Sequence, residues 1–428
     1  MAQALRLGIA GLGTVGVGVV KIIRRHAELL TARTGQSIEI VAVSARDPNK
    51  ARGVNLSSYM WETDPVALAK RDDIDVFIEL MGGENGPAKT SVEAALASGK
   101  DVVTANKALL AIHGQELAEQ AEAAGRAVRF EAAVAGGIPV IKSLTEGLAG
   151  NQISRVMGVM NGTCNYILTR MQSQELGYNA LFEECAKLGY LEADPNLDVG
   201  GIDAAHKLAL LSSIAFGTKP NFDGIQIEGI QHISLDDIHQ AADMGYRIKL
   251  LGVAQRTPRG LEQRMQPCLV PSDSPIGQLE GGTNMVVIEG DAVDQIVLRG
   301  PGAGEGPTAS AVMGDVCDLA RGLRIPTFGR AATSLEEAQP AQTGTPAPYY
   351  LRLALLDKPG ALAKVAAILG DAGVSIDRMR QYAHSESTAP VLIVTHKTTR
   401  STLDYALNGL RDTEAVAEEP VALRIEQV

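Results

Sequence analysis

The sequence predicts an α/β protein of three units, and three observations predict it. A short apolar strand in "ALRLGIAGLGTVG" runs into Gly11-x-Gly13-x-x-Gly16 and then into a helical stretch. Apolar strands and helices go on alternating as far as Val134, the order that builds a parallel sheet covered by helices on both faces. Residues 349–428 read strand, helix, two strands, helix, strand, a ferredoxin-like βαββαβ order. The expectation is a Rossmann-type dinucleotide-binding domain over 1–134, an α+β substrate-binding and oligomerisation domain over 135–306, a linker over 331–348, and the ferredoxin-like unit over 349–428.

The elements follow in order. "IEIVAVSA" (38–45) is the second buried strand, and "IDVFIEL" (74–80) the third. "GPAKTSVEAALASG" reads as a helix that Gly99 stops. "DVVTANK" is a strand, "LLAIHGQELAEQAEAAG" a helix, and "AVRFEAAV" (127–134) the last strand of the first unit. The middle region mixes elements without strict alternation. It holds "ISRVMGVMNGTCNYILTRM", a helical run from Tyr178 to Leu188, and the helix "IDAAHKLALLSSIAFG". Strand-like runs follow in "RIKLLGVAQR", "NMVVIEG" and "DQIVLRG". The glycine-rich loop from Gly300 feeds a helix expected to return to the first unit near 307–330. Ala331–Pro348 has linker composition.

Composition narrows the partners. A net charge of −11 and only 4% aromatic residues, with Trp61 the single tryptophan, oppose a nucleic-acid surface and an anionic membrane surface. An anionic cofactor is still allowed, because local backbone dipoles outweigh distant net charge. The cysteines Cys164, Cys185, Cys268 and Cys317 form no CxxC pair, which opposes a structural zinc site and suits reduced thiols. No leader-like or membrane-spanning segment is read in the sequence. The expectation is a soluble cytoplasmic protein.

The chemistry starts at the glycine turn. Gly11 permits the tight turn, Gly13 admits a pyrophosphate against the backbone, and Gly16 lets helix and strand pack closely. Thr14 and Val15 open the helix and offer N–H donors to phosphate. The second strand ends at Arg46, which could clamp a 2′-phosphate and favours NADP; Asp47 follows it and keeps NAD open. Lys107 lies just past a strand's C-terminal end, where ligands of such sheets gather.

Two stretches carry candidate catalysis. Cys164 in "MNGTCNYI" is either a thioester-forming nucleophile, which needs a base and a depressed pKa, or a small packing residue. In "LEADPNLDVGGIDAAHK", Asp203 and Lys207 stand at i,i+4 on one helical face. They form either an exposed ion pair or a partly buried acid/base, with Glu192, Asp194 and Asp198 before them in a loop. His206 is the rival acid/base, turned about 100° from Lys207 around the helix.

These residues together resemble the homoserine dehydrogenases that carry a C-terminal ACT domain. The resemblance spans essentially the whole chain and rests on "GLGTVG", "TANK", "EAAVAGGIP", "MNGTCNYIL" and "GYLEADPNLDVGGIDAAHK". Cys185 and Leu191 stand where small residues are common in the family. The resemblance implies interconversion of L-homoserine and L-aspartate 4-semialdehyde with NAD(P). It implies that Lys207 exchanges the proton, that Asp203 positions it, and that Lys107 contacts substrate or assists. It gives Glu192 and Asp198 to the substrate, and Gly304 and Glu305 to the cofactor's surroundings. It implies a monovalent cation, sodium, held by Glu131, Val134, Gly136 and Ile138, largely through carbonyl oxygens. It assigns an amino-acid effector, L-threonine, to the turn at Asp357 and Gly360, and a homodimer or homotetramer as the assembly. The alternative reading is a non-catalytic dinucleotide- and amino-acid-sensing regulator. That reading predicts a degraded acid/base set, whereas Lys107, Glu192, Asp198, Asp203 and Lys207 are all present.

Overall fold

The computed structural model describes residues 3–188, 194–381 and 388–428. Leu5–Ala10 (β1), Ile38–Ser44 (β2), Met60–Glu62 (β3), Val76–Glu79 (β4), Asp101–Thr104 (β5) and Val128–Arg129 (β6) form one sheet. Its order is β3-β2-β1-β4-β5-β6, and every pairing is parallel. The strand order reverses beside β1, so a crevice opens at the C-terminal ends of β1 and β4, the place where such sheets bind ligands.

The expected strand 127–134 is cut to two residues. Beyond Arg129 the chain turns into a 3-10 segment, Glu131–Ala133. The buried carboxylates explain this. Asp315 takes the Glu131 N–H at 2.8 Å, and the Glu131 carboxylate takes the N–H groups of Ile141 (2.9 Å) and Lys142 (2.8 Å). With those bonds made, the backbone has no reason to stay in the ladder.

A second sheet holds ten strands among the described residues. They are Ile153–Val159 (β7), Gln226–Ile227 (β8), Tyr246–Thr257 (β9), Gly260–Pro271 (β10), Thr283–Gly290 (β11), Asp294–Pro301 (β12), Tyr349–Leu356 (β13), Ile376–Gln381 (β14), Thr388–Thr395 (β15) and Val421–Ile425 (β16). The order is β12-β11-β7-β9-β10-β16-β13-β15-β14, with β8 also on β10. The C-terminal strands keep the expected βαββαβ sequence, with helices Ala361–Asp371 and Arg400–Arg411. Their sheet does not stand apart. Parallel pairing of Cys268 with Arg424 and of Leu269 with Ile425 joins it to the middle region.

Strand β10 was not foreseen. Glu262, Arg264 and Gln266 alternate along it and look solvated, yet all three are buried. Their partners come from far away in sequence: Arg264 reaches Glu426 at 2.7 Å, and Arg424 holds the same carboxylate at 2.9 Å. A charge ladder is tolerated inside when it is paired throughout. The linker is a strap as well. Glu336 bridges to Thr218 and Pro340 to Leu261, and Leu335 is buried.

The helix Glu305–Ala320 returns to the first sheet and packs on the helix Thr14–Arg25. Gly18 makes that approach possible. A Cβ there would lie 2.7 Å from the Glu305 carbonyl oxygen and 2.8 Å from the Ala309 Cβ. Lys21 and Glu305 close the contact with an ion pair at 2.8 Å. Gly18→Val is therefore expected to lower the urea midpoint, by an overpacking cost of about 1–3 kcal/mol. An unchanged midpoint would show that the two helices part without loss.

Candidate active site

The helix Ile202–Phe216 supplies the centre of the site. It begins after Gly201 at φ 82, a left-handed residue, and ends at Gly217 at φ 67. Ala204, Ala205, Leu208, Ala209, Leu210 and Leu211 are all fully buried, so the helix runs through the core against β7, β9 and β10. Asp203 and Lys207 are carried inside with it, 7% and 9% exposed. The exposed-pair alternative is thereby excluded.

Asp203 stands between two lysines. Its Oδ2 accepts from Lys207 Nζ at 2.7 Å, and its Oδ1 meets Lys107 Nζ at 2.6 Å. Burial by itself pushes this carboxyl up; the charges and hydrogen bonds of Lys207 and Lys107 outweigh it and hold Asp203 far below the usual carboxylate range. Lys207 Nζ also donates to the Met160 carbonyl at 2.8 Å. These contacts favour the ionised form of Asp203 and hold the Lys207 amine between Asp203 and the Met160 carbonyl.

Lys107 is placed by a chain of hydrogen bonds that the sequence did not advertise. Buried Glu79, at the end of β4, accepts from Thr104 Oγ1 at 2.6 Å and from Met81 N at 2.7 Å. Thr104 Oγ1 takes the Asn106 N–H at 2.9 Å, and Asn106 caps the helix Lys107–Ala123 through Leu109 N at 3.1 Å. Lys107 is the first residue of that helix.

The three ionic groups open on a cavity of about 880 Å³ between the two sheets. Val15 lines it from the glycine turn, Asp198 from the short helix Pro195–Val199, and Gly304 from the loop before Glu305. Asn161 fixes Asp198, donating to its Oδ1 at 3.0 Å. Asn284 is a further wall residue. Its Nδ2 donates to the Met160 carbonyl at 3.1 Å, and its buried Oδ1 has no partner among the described residues, so it is an acceptor offered to a ligand. Nothing in the local sequence singled out Asn284 or Glu79: Met160, the partner of Asn284, lies 124 residues away, and Thr104, which bonds Glu79, lies 25 residues away.

The glycine turn has room for a pyrophosphate. Gly11 sits at φ 100, and a Cβ there would meet the Leu80 carbonyl oxygen at 2.4 Å. A Cβ on Gly16 would lie 2.1 Å from the Gly11 carbonyl oxygen, whereas one on Gly13 would meet nothing within 4 Å. Gly13 thus faces open space at the start of the helix, and Thr14 begins it with no side-chain cap ahead. Arg46 is exposed at the end of β2. Arg52, not anticipated, bonds the Leu12 carbonyl at 3.1 Å through Nε and lies 5.6 Å over the Trp61 ring. The Glu305 side chain turns outward to Lys21 rather than into the cavity.

Other candidates fall elsewhere. Cys164 is fully buried, with Sγ 3.3 Å from the Asp198 carbonyl; burial pushes its thiol well up, and Asp198 and Asp203 add to the effect. It packs; it is not a thiolate nucleophile. His206 stacks on Phe222 with centroids 4.3 Å apart, and burial pushes its pKa down, so it stays neutral. Glu192 and Leu191 lie outside the described residues.

The loop 131–138 curls through two left-handed residues, Ala135 and Gly136, both at φ 55. Burial pushes the Glu131 carboxyl up to about 7, with Asp315 adding to it against the N–H groups of Lys142 and Ile141. Each of its carboxylate oxygens accepts one of those N–H groups, and its main-chain oxygen accepts from the Val134 N–H at 3.4 Å. Among the described residues no group of three or more His, Cys, Asp or Glu side chains could hold a metal. The donors at this loop are carbonyl oxygens, a set that suits a hard cation. The turn at Asp357–Gly360 is exposed, with Gly360 at φ 87 opening the helix Ala361–Asp371.

Comparison with known proteins gives this pocket its setting. Residues 139–317 match the family model for homoserine dehydrogenase, residues 11–131 the homoserine dehydrogenase NAD-binding domain, and residues 349–411 the ACT domain. A homoserine dehydrogenase of Pseudomonas aeruginosa is 42% identical over 436 residues, covering all of both chains. The crystal structure of a homoserine dehydrogenase from Thiobacillus denitrificans superposes with a TM-score of 0.94 at 39% identity, over 99% of each chain. A hyperthermophilic archaeal homoserine dehydrogenase in complex with NADPH matches with a TM-score of 0.65 at 26% identity, over 76% of this chain and 100% of that one. With identity of this order along its whole length, the chain belongs to the homoserine dehydrogenase family, as an NAD(P)-dependent oxidoreductase with a C-terminal ACT domain.

Proposed function

We propose that the chain interconverts L-homoserine and L-aspartate 4-semialdehyde on the route to threonine and methionine, with NADP as its preferred cofactor and L-threonine as feedback inhibitor. The observation that carries the reading is Asp203 held between Lys107 and Lys207 at the floor of the cavity. A bound nicotinamide supplies hydride transfer to or from the substrate carbon. The protein's part is the proton and the positioning. In the reductive direction the Lys207 ammonium gives its proton to the carbonyl oxygen as that oxygen gains charge; in the oxidative direction the amine takes the hydroxyl proton. Asp203 holds the amine in place, and Lys107 stabilises the same oxygen from the opposite wall. Asp198 orders the substrate, and by the family resemblance Glu192 receives its ammonium.

Support for the cofactor side is the Gly11–Gly16 turn with Thr14 and Val15 at the helix start, and Gly304 across the cavity; any contribution from Glu305 is through its backbone. Arg46 and Arg52 bring two guanidiniums to the ribose end, chemistry suited to a 2′-phosphate. The carbonyls of Glu131, Val134, Gly136 and Ile138 would hold a monovalent cation, sodium. The Asp357–Gly360 turn would take the effector. We place the protein in the cytoplasm as a homodimer or homotetramer, with 1–134, 135–306 and 349–428 as its domains. No helix among the described residues is long and apolar enough to cross a membrane.

Lys207→Ala is expected to reduce kcat for homoserine oxidation by about 10²–10⁴-fold, with NADP binding by fluorescence titration unchanged. Cys164→Ser should keep full activity in the same assay. Retained turnover in the first, or loss in the second with the fold intact, would return the chemistry to Cys164. Arg46→Ala should raise KM for NADP at least tenfold, about 1.4 kcal/mol, and change KM for NAD little. Equal changes for both cofactors would remove Arg46 from the 2′-phosphate.

A further inference from the structure

Lys249 stands on β9 with 3% of its surface exposed, and no carboxylate forms an ion pair with it among the described residues. Burial pushes its amine down to about 8; the charge of Glu280 opposes that shift, and the charge of Arg247 adds to it. An apolar side chain at this place would have no such desolvation to offset. Lys249 does not line the catalytic cavity and takes no part in the reaction proposed above. What the amine does is set by the hydrogen bonds it makes.

Those bonds lead to the cavity wall. Lys249 Nζ donates to Asn165 Oδ1 at 3.0 Å and to the Leu279 carbonyl. Asn165 is 1% exposed and closes the first turn of the helix Gly162–Gln174. With a donor on its oxygen, the Asn165 amide turns its nitrogen the other way, and Nδ2 donates to the Gly281 carbonyl at 2.8 Å. One turn further along the helix, Thr169 Oγ1 accepts the Gly281 N–H at 3.3 Å. Gly281 is thus fastened to one helix through both its carbonyl and its N–H. The approach is tight: a Cβ on Gly162 would lie 2.6 Å from the Gly282 carbonyl oxygen.

Gly162, Thr163 and Tyr166 of that helix line the catalytic cavity, and so do Gly281 and Gly282 of the loop. Asn161 caps the same helix through Cys164 N at 2.8 Å, and it is the residue that donates to Asp198. The bonds of Lys249 therefore run to the wall that holds the carboxylate assigned to substrate. The glycine turn follows β1 of the other sheet and shares none of them.

We infer that Lys249 is a positioning residue for the substrate side of the cavity: through Asn165 and the Leu279 carbonyl it clamps the loop 279–282 to the helix Gly162–Gln174 and leaves the cofactor side untouched. Removing the amine leaves the Asn165 oxygen a buried acceptor without its donor. The amide then loses its fixed sense, and the loop loses a tether.

The inference rests on the proposed reaction for its kinetic readout, so the test carries a second readout that needs no turnover. Lys249→Met, close in length and without a donor, and Lys249→Gln, which keeps an N–H donor, are compared with the unaltered full-length protein. Amide hydrogen exchange is followed by mass spectrometry, beside steady-state homoserine oxidation. In Lys249→Met, peptides covering 279–284 should exchange about tenfold faster or more, while those covering 11–16 keep their rate. KM for homoserine should rise about tenfold or more, with kcat within about threefold and KM for NADP within about twofold. Lys249→Gln should recover part of both changes. Unchanged exchange at 279–284 overturns the inference. So does faster exchange throughout the chain, a parallel rise of both KM values, or an unchanged KM for homoserine. If Lys249→Met does not fold, Lys249→Gln is judged by the same directions, and failure of both to fold makes Lys249 a stability residue and overturns the inference as well. Absence of turnover in the unaltered protein would count against the dehydrogenase reading, and the exchange at 279–284 would still decide the clamp.

Discussion

Everything in the catalytic half depends on one buried carboxylate held between two amines. Burial alone would push the Asp203 carboxyl up towards its protonated form. Asp203, Lys107 and Lys207 form a set in which each charge justifies the next, and the Met160 carbonyl takes a remaining Lys207 proton. Such a cluster stabilises a fold poorly, because desolvation offsets most of the attraction. Its value is positional: it fixes an amine of defined direction at the floor of a cavity.

The surrounding architecture serves that placement from two sides. The apolar helix Ile202–Phe216 carries Asp203 and Lys207 into the interior. On the other side, the parallel sheet delivers Lys107 through Glu79, Thr104 and Asn106, all buried and each bonded to the next or to a helix start. The returning helix Glu305–Ala320 then locks the two halves at Gly18, which sets the depth of the crevice into which the glycine turn opens. A cofactor at the turn and a substrate beside Lys207 consequently share one space.

Local signals were legible in the sequence. Gly11, Gly13 and Gly16 stand at a spacing whose steric reasons lie within a few residues, and Asp203 and Lys207 face one another by helical period alone. What stayed hidden depended on distant partners. Glu262, Arg264 and Gln266 drew no strand expectation, and Glu426, which neutralises Arg264, lies 162 residues further along the chain. The strand expected through Val134 stopped early because Asp315, far along the chain, takes the Glu131 N–H. Asn284 and Arg52 carried no local pattern, and their significance comes only from the carbonyls of Met160 and Leu12 that the fold sets beside them. Periodicity reports the neighbours of a residue in sequence; it is silent about a charge supplied by another sheet.

The ten-stranded sheet makes the C-terminal unit a continuation of the catalytic region, joined through β10 and β16 and pinned again where Arg352 meets the buried Asp237 at 2.7 Å. The account as a whole stands on Asp203, and the most direct measurement is homoserine oxidation by Asp203→Asn, followed as reduced-nicotinamide absorbance against pH, beside NADP binding. The account predicts kcat lower by about 10²-fold or more, with NADP affinity within about threefold of the unaltered protein, a binding change under about 0.7 kcal/mol. Turnover near the unaltered value with an unshifted pH profile would contradict it, because the carboxylate between the two lysines would then be dispensable.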